Sequence, residues 1–249
     1  MKQSILLSFD VEEFDIPMEF GFAVSPYTQM KVGKNGLDAI KPILNEVACT
    51  LFTTANFADH FPNEIKNLAE QHEIASHTYY HGSFEPCDLL NSRLKLEAIT
   101  GTAVTGLRMP RMKPIDMPSV MAAGYQYDSS INPTWLPGKY NNLHLSRTVY
   151  TEQGMKRIPA SVSPNLRIPL FWLSFKNMPY SFFKSLCLQT LRKDGYLCLY
   201  FHPWEFTPIE GFELPIYTRR WCGPVMVDRL LNLIKVLKTE GDFIPMNQL

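Results

Sequence analysis

The stretch SFDVEEFD, Ser8 to Asp15, places four acidic residues in the six positions from Asp10 onward, directly behind the apolar run SILLSF. Such a run reads as a buried strand, and carboxylates at its end repel one another and lose hydration. Either something offsets them there, such as a cation, or they splay outward into water. In an extended segment residues i and i+2 project to one side. Asp10 and Glu12 therefore share a face, Val11 turns into the packing, and Glu13 points away as a solvated charge. Asp15 reads as either a rim residue or a turn former. The shared face suits one carboxylate as a metal ligand and the other as proton acceptor for a bound water.

Downstream, short strand-like runs alternate with amphipathic helical ones. GLDAIKPILNEVA carries Leu37, Ile40, Ile43, Leu44 and Val47 at helical spacing. CTLFTTANFA reads as a strand, PNEIKNLAEQH as a helix opened by Pro62, EIASHT as a short strand, and CDLLNSRLKLEAITG as a helix ended by Gly101. AVTGLRMP, YQYDSSI, RIPASV, YLCLYFHP and FIPM continue the strand series, with helices at MPSVMAAG, YSFFKSLCLQTLRKDG and PVMVDRLLNLIKVLKTEG. At least six β-then-α units follow without linker or repeat. That predicts a single α/β domain over residues 1–249 with a mainly parallel sheet, open or closed into a barrel. The stretches PMEFGFAVSPYTQMKVG and PTWLPGKYNNLHLSRT are longer than connections need to be, and both read as loops rimming a site.

Composition narrows the function classes. With 249 residues, 45% of them apolar, the chain sustains a sizeable core, and 24 basic residues balance 24 acidic ones. The absence of a basic stripe argues against nucleic acid or anionic lipid as the main partner. The apolar run Ile5–Leu7 is too short for a secretion signal, and no segment approaches the roughly 20 apolar residues of a membrane span. The expectation is a cytoplasmic protein. Its cysteines, at 49, 87, 187, 198 and 222, are odd in number and form no CxxC, which fits buried thiols in a reducing compartment.

Functional residues of parallel α/β folds gather at the C-terminal ends of strands. Here those ends carry Asp10 and Glu12, then His77 and His81 in SHTYYH, then Arg108, Asp128 and His202. His-x3-His puts two imidazoles within reach of one ion, on a helical turn or around a bend after a strand; a carboxylate from another strand end leaves open positions for water or substrate. His60, His72 and His144 lack such company. A guanidinium at Arg108 can pair with the carboxylate that serves as base. His202 closes a nearly continuous apolar strand and is followed by Pro203, a placement that suits a general acid, with Asp128 as its orienting partner. Trp135 and Trp204 suit a sugar-binding face or the core equally well.

The ordered set resembles the polysaccharide deacetylase family, the carbohydrate esterases of family 4 with a NodB-like domain. Its five motifs lie on SFDVEEFD, HTYYH, RMPR, DSSINPTW and YFHPWEF, over nearly the whole chain. FHPWEF, with YTRRWCG and a terminal helix, is most similar to the branch found beside bacterial exopolysaccharide and capsule functions. The resemblance implies a distorted (β/α)7 barrel and metal-assisted removal of N-acetyl groups from an amino-sugar glycan. Asp10 then matches the base, Arg108 its partner, Asp128 the residue polarising the acid and His202 the acid. The Arg111 N–H matches an oxyanion donor. His77 and His81 match ligands of a divalent metal, zinc first, with cobalt, nickel and manganese as substitutes. Two departures stand out. The family's second aspartate, a metal ligand, is replaced by Val11, and Glu12 takes that role by analogy with members using Asp-x-Asp spacing. Arg111 stands where an aromatic is common. Two other readings fit the same residues: an amide or imide hydrolase of a non-sugar small molecule, and an inactive carbohydrate-binding homologue. Exposed aromatics in the long loops would serve a homo-oligomer as well as a substrate.

Overall fold

The computed structural model describes residues 3–249. Among them the strands are β1 (Gln3–Val11), β2 (Thr50–Thr53), β3 (Glu73–Ser76), β4 (Gly106–Leu107), β5 (Tyr127–Asp128), β6 (Trp135–Leu136), β7 (Tyr140–Asn141), β8 (Tyr150–Glu152), β9 (Met155–Arg157), β10 (Tyr196–Phe201) and β11 (Gly241–Phe243). Seven run parallel in the order β10-β1-β2-β3-β4-β5-β9. β8 adds an antiparallel edge to β9, and β11 pairs with Gln3–Ile5 on β1, while β2 pairs with Ser8–Val11. The sheet curls until the segment after β9 meets β10. There Ser161 N–H donates to the Cys198 carbonyl at 2.9 Å, and Cys198 N–H donates to Ser161 Oγ at 2.8 Å. A polar clip thus replaces the last ladder of the barrel. This is the distorted (β/α)7 architecture the resemblance implied.

Alternation along the strands sorts side chains into two cores. Leu6, Phe52, Ala75, Tyr127, Ile158, Tyr196 and Cys198 fill the lumen, where Met246 joins them. Ile5, Leu7, Phe9 and Val11 face the surrounding helices, with Leu51, Leu197, Leu230 and Ile234 in the same cluster. Asp10 and Glu12 follow the parity of Leu6 and Ser8, so they point into the upper lumen, as the pleat predicts.

Three local expectations change. CTLFTTANFA is a strand only to Thr53: the Thr54 hydroxyl accepts from Phe57 N–H at 3.2 Å and caps a helix over Ala55–His60. The stretch 17–33, read as loop, enters a helix at Pro26 (Pro26–Ala39), with Ser25 as its N-cap. Its Gly33 and Gly36 permit close docking. A Cβ on Gly33 would lie 2.6 Å from the Glu12 carbonyl, and one on Gly36 would lie 2.4 Å from the Pro203 carbonyl. Between β5 and β9, finally, the stretch 133–148, read as loop, folds in part into the β6–β7 hairpin, and β8 follows it. No helix among the described residues is long and apolar enough to cross a membrane.

Candidate metal centre and active site

Six of the seven strand-end residues converge at one end of the lumen. His77 follows β3, and Thr78, in the left-handed region at φ 64°, reverses the chain toward His81. The pair is therefore arranged around a bend, not on a helical turn, with ring centroids 5.6 Å apart. Glu12 Oε2 lies 3.1 Å from Nε2 of each ring. The far nitrogens are both committed. His77 Nδ1 is 2.8 Å from the Arg108 carbonyl, and His81 Nδ1 is 2.7 Å from Asp15 Oδ1. A ring that donates from Nδ1 presents a lone pair at Nε2.

Three potential ligand atoms thus face one another in a buried site, and Glu12 Oε2 and His77 Nε2 have no hydrogen-bond partner. Such a cluster calls for a positive charge at its centre, and two imidazoles with one carboxylate form a ligand set suited to zinc. The residues fit a divalent metal. The remaining Glu12 oxygen accepts from Trp204 Nε1 at 3.2 Å. Burial opposes ionisation of Glu12, but the imidazoles of His81, His77 and His202 outweigh it and hold the carboxyl far below its ordinary range. Asp15 is also lowered: burial opposes, while His81 and Arg111 prevail.

Arg108, wholly buried, spans the lumen beneath this cluster. Its Nη1 donates to Asp10 Oδ1 at 2.6 Å and Ser8 Oγ at 3.0 Å, and Nε and Nη2 donate to the Ser129 carbonyl and hydroxyl, each at 3.1 Å. Asp10 Oδ2 lies 3.9 Å from His202 Nε2. Asp10, Glu12, His77, His81 and His202 line one cavity of about 90 Å³, walled by Phe171, Trp172, Leu136, Tyr140 and Tyr200. Glu19, Lys139 and Arg111 stand at its rim. The Arg111 backbone is left-handed, at φ 57°, and its guanidinium donates to Asp15, Glu19 and the His81 carbonyl.

Four expectations are corrected here. Asp128 does not meet His202. On β5 it is Tyr127 that belongs to the lumen, and Ser129 that reaches Arg108, so Asp128 points the opposite way. There it pairs with Arg157 Nε at 2.9 Å and accepts from Ser130, and burial raises its pKa despite both. Glu205 is the partner of His202, with Oε1 3.0 Å from Nδ1. Trp135 is exposed and does not line the cavity, whereas its neighbour Leu136 does. Trp204 lines it but is buried, stacked on His202 with centroids 5.1 Å apart and donating to Glu12, so it offers no free sugar platform. Glu13 is no solvated charge: it is buried and accepts from Thr54 and Asn56. The sequence reading left Asp15 open and missed Glu205. The second was signalled by its place three residues after His202, the spacing of a capping box.

No protein-family model matches the chain, and no curated protein matches it. Solved structures do. A protein assigned as a polysaccharide deacetylase from Mycobacterium smegmatis superposes with TM-score 0.66 at 18% identity, over 99% of this chain and 88% of that one. An allantoinase gives TM-score 0.66 at 16% identity, over 98% and 88%. A CE4-family pseudoenzyme from Bacillus anthracis gives 0.52 at 11%, over 100% of this chain and 65% of its own. The chain has the NodB-like polysaccharide deacetylase fold. That fold carries a deacetylase, an allantoinase and a pseudoenzyme alike, so the choice among them rests on the site.

Proposed function

We propose that the protein is a metal-dependent amidohydrolase that removes an N-acetyl group from an amino sugar in a glycan or oligosaccharide. The observation that carries this is the cluster of Glu12 Oε2 with the Nε2 atoms of His77 and His81, set beside Asp10 and His202 on one cavity. An inactive binding homologue has no need of a carboxylate and two imidazoles brought together in a buried site.

Glu12, His77 and His81 would hold the ion. When bound, it supplies a Lewis acid for the amide carbonyl and lowers the pKa of a water. Asp10, its charge balanced by Arg108, accepts the proton of the attacking water. The Arg111 N–H at the rim is the donor assigned to the developing oxyanion. His202 gives its proton to the departing amine nitrogen as the C–N bond breaks. Burial alone would lower the His202 pKa, but Glu205, Glu12 and Asp10 raise it above its ordinary value, which favours the charged acid.

The test is acetate release from N-acetylated chitooligosaccharides by zinc-loaded protein, run beside ring opening of cyclic imides and ureides. Acetate release lost in Glu12→Gln supports the proposal. Ring opening without acetate release would transfer the site to small-molecule amides. No stoichiometric metal and no turnover on either class would leave an inactive homologue.

A further inference from the structure

The face of His202 turned from the cavity is built as carefully as the face turned toward it. Glu205 sits in the short 3-10 turn Pro203–Phe206, and its Oε1 accepts from His202 N–H at 2.8 Å as well as facing Nδ1. Its Oε2 lies 3.0 Å from Lys176 Nζ, and both side chains are wholly buried. Lys176 comes from the helix Trp172–Asn177, and its ammonium also donates to the Thr218 carbonyl at 2.9 Å and contacts Cys222 Sγ at 3.3 Å. The same ammonium lies 5.0 Å from the Trp172 ring and 5.4 Å from the Trp204 ring. Those two indoles bracket His202, Trp172 edge-on at 5.2 Å and Trp204 stacked. A dry ion pair must give up the hydration of both ions before its own attraction is counted, and an apolar pair of similar volume commonly does better. Capping a turn of four residues does not require it.

We infer that Glu205, fixed in place by Lys176, is the positioning residue for the His202 acid. This rests on the reading of His202 as proton donor to the leaving group. A carboxylate at Nδ1 keeps a proton there, so Nε2, which faces Asp10 and the cavity, is the nitrogen that gives up a proton and is left neutral. In the step, the proton passes from Nε2 to the amine nitrogen, the C–N electron pair stays with that nitrogen, and Nδ1 keeps its own proton, donated to Glu205. The role that the family resemblance gave to Asp128 thus falls to a residue of the same turn as the acid, backed by a lysine from a neighbouring helix.

Two measurements test this. The first uses ¹⁵N spectra of the histidine rings in the metal-free wild-type protein, with the His202 signals assigned by their loss in His202→Asn. At alkaline pH His202 is expected as the Nδ1–H tautomer, and an Nε2–H tautomer overturns the inference. The second compares Glu205→Gln and Lys176→Met on an N-acetyl amide and on an aryl acetate, whose phenolate departs without needing a proton. The ratio of amide to ester kcat should fall on the order of 100-fold in Glu205→Gln and in the same direction in Lys176→Met, with KM little changed. Equal losses on both substrates would mean a merely structural role and overturn it. A wild-type protein that hydrolyses neither probe counts against the hydrolase reading, and the tautomer then decides the positioning claim by itself.

Discussion

Zinc binding at this site should release one proton, and the proton should come from His81. Burial alone would push that ring's pKa down, but Glu12 and Asp15 raise it to about 9. At pH 7 the gap is two units, so in the metal-free protein about 99% of molecules carry the proton, worth about 2.7 kcal/mol against an ion that needs Nε2. Apparent affinity should therefore climb about tenfold per pH unit from pH 6 and flatten near 9, a gain on the order of 100-fold between pH 7 and 9. The same proton stabilises the metal-free fold. That contribution is complete below the ordinary histidine value of 6.5 and is lost as pH rises through about 9. Calorimetric titration with zinc, in two buffers of different ionisation enthalpy and with a competing chelator, reads both slope and stoichiometry. Asp15→Asn removes one of the raising charges and should move the break to lower pH. Affinity independent of pH between 6 and 8, or unchanged stoichiometry in Glu12→Gln, would refute the reasoning.

Other outcomes follow from single contacts. Arg108→Met leaves the Asp10 carboxylate buried beside a vanished partner at 2.6 Å, and should cost about 3–5 kcal/mol in urea unfolding; a loss below 1 kcal/mol would show that Asp10 finds water instead. Gly36→Ala sets a methyl 2.4 Å from the Pro203 carbonyl, so it should destabilise by about 1–3 kcal/mol and lower activity through the displaced His202 turn. Because the acid form of His202 is the charged one and its pKa is raised above 6.5, kcat should decline on the alkaline side above that value. His202→Ala should abolish this limb and reduce kcat by about 100-fold or more with metal content intact; wild-type turnover in that variant would remove its role.

Much of the site is legible in the chain because it obeys local rules. A period of two puts Asp10 and Glu12 on one face of β1 and Val11 on the other, and β1 is long enough, at nine residues, to fix the phase. The same rule failed at Asp128, where β5 is two residues long and nothing in the sequence says which parity enters the lumen. Spacing set His77 and His81 within reach of one point, and the apolar run before His202 placed it at a strand end. The helical part of the 17–33 stretch, from Pro26 on, went unrecognised because Gly33, a poor helix former, is there to let the backbone approach Glu12.

By itself the sequence determined the alternation of strands and helices and the end of the barrel at which the ionisable strand-end residues gather. Tertiary structure alone decided the pairings across space: Asp15 behind His81, Arg108 beneath Asp10, and Lys176 behind Glu205. Periodicity tells a residue which face it occupies, since that is fixed by its own backbone. Which buried charge it meets depends on how far the sheet curls before it closes, and that closure is set by contacts between segments far apart in the chain.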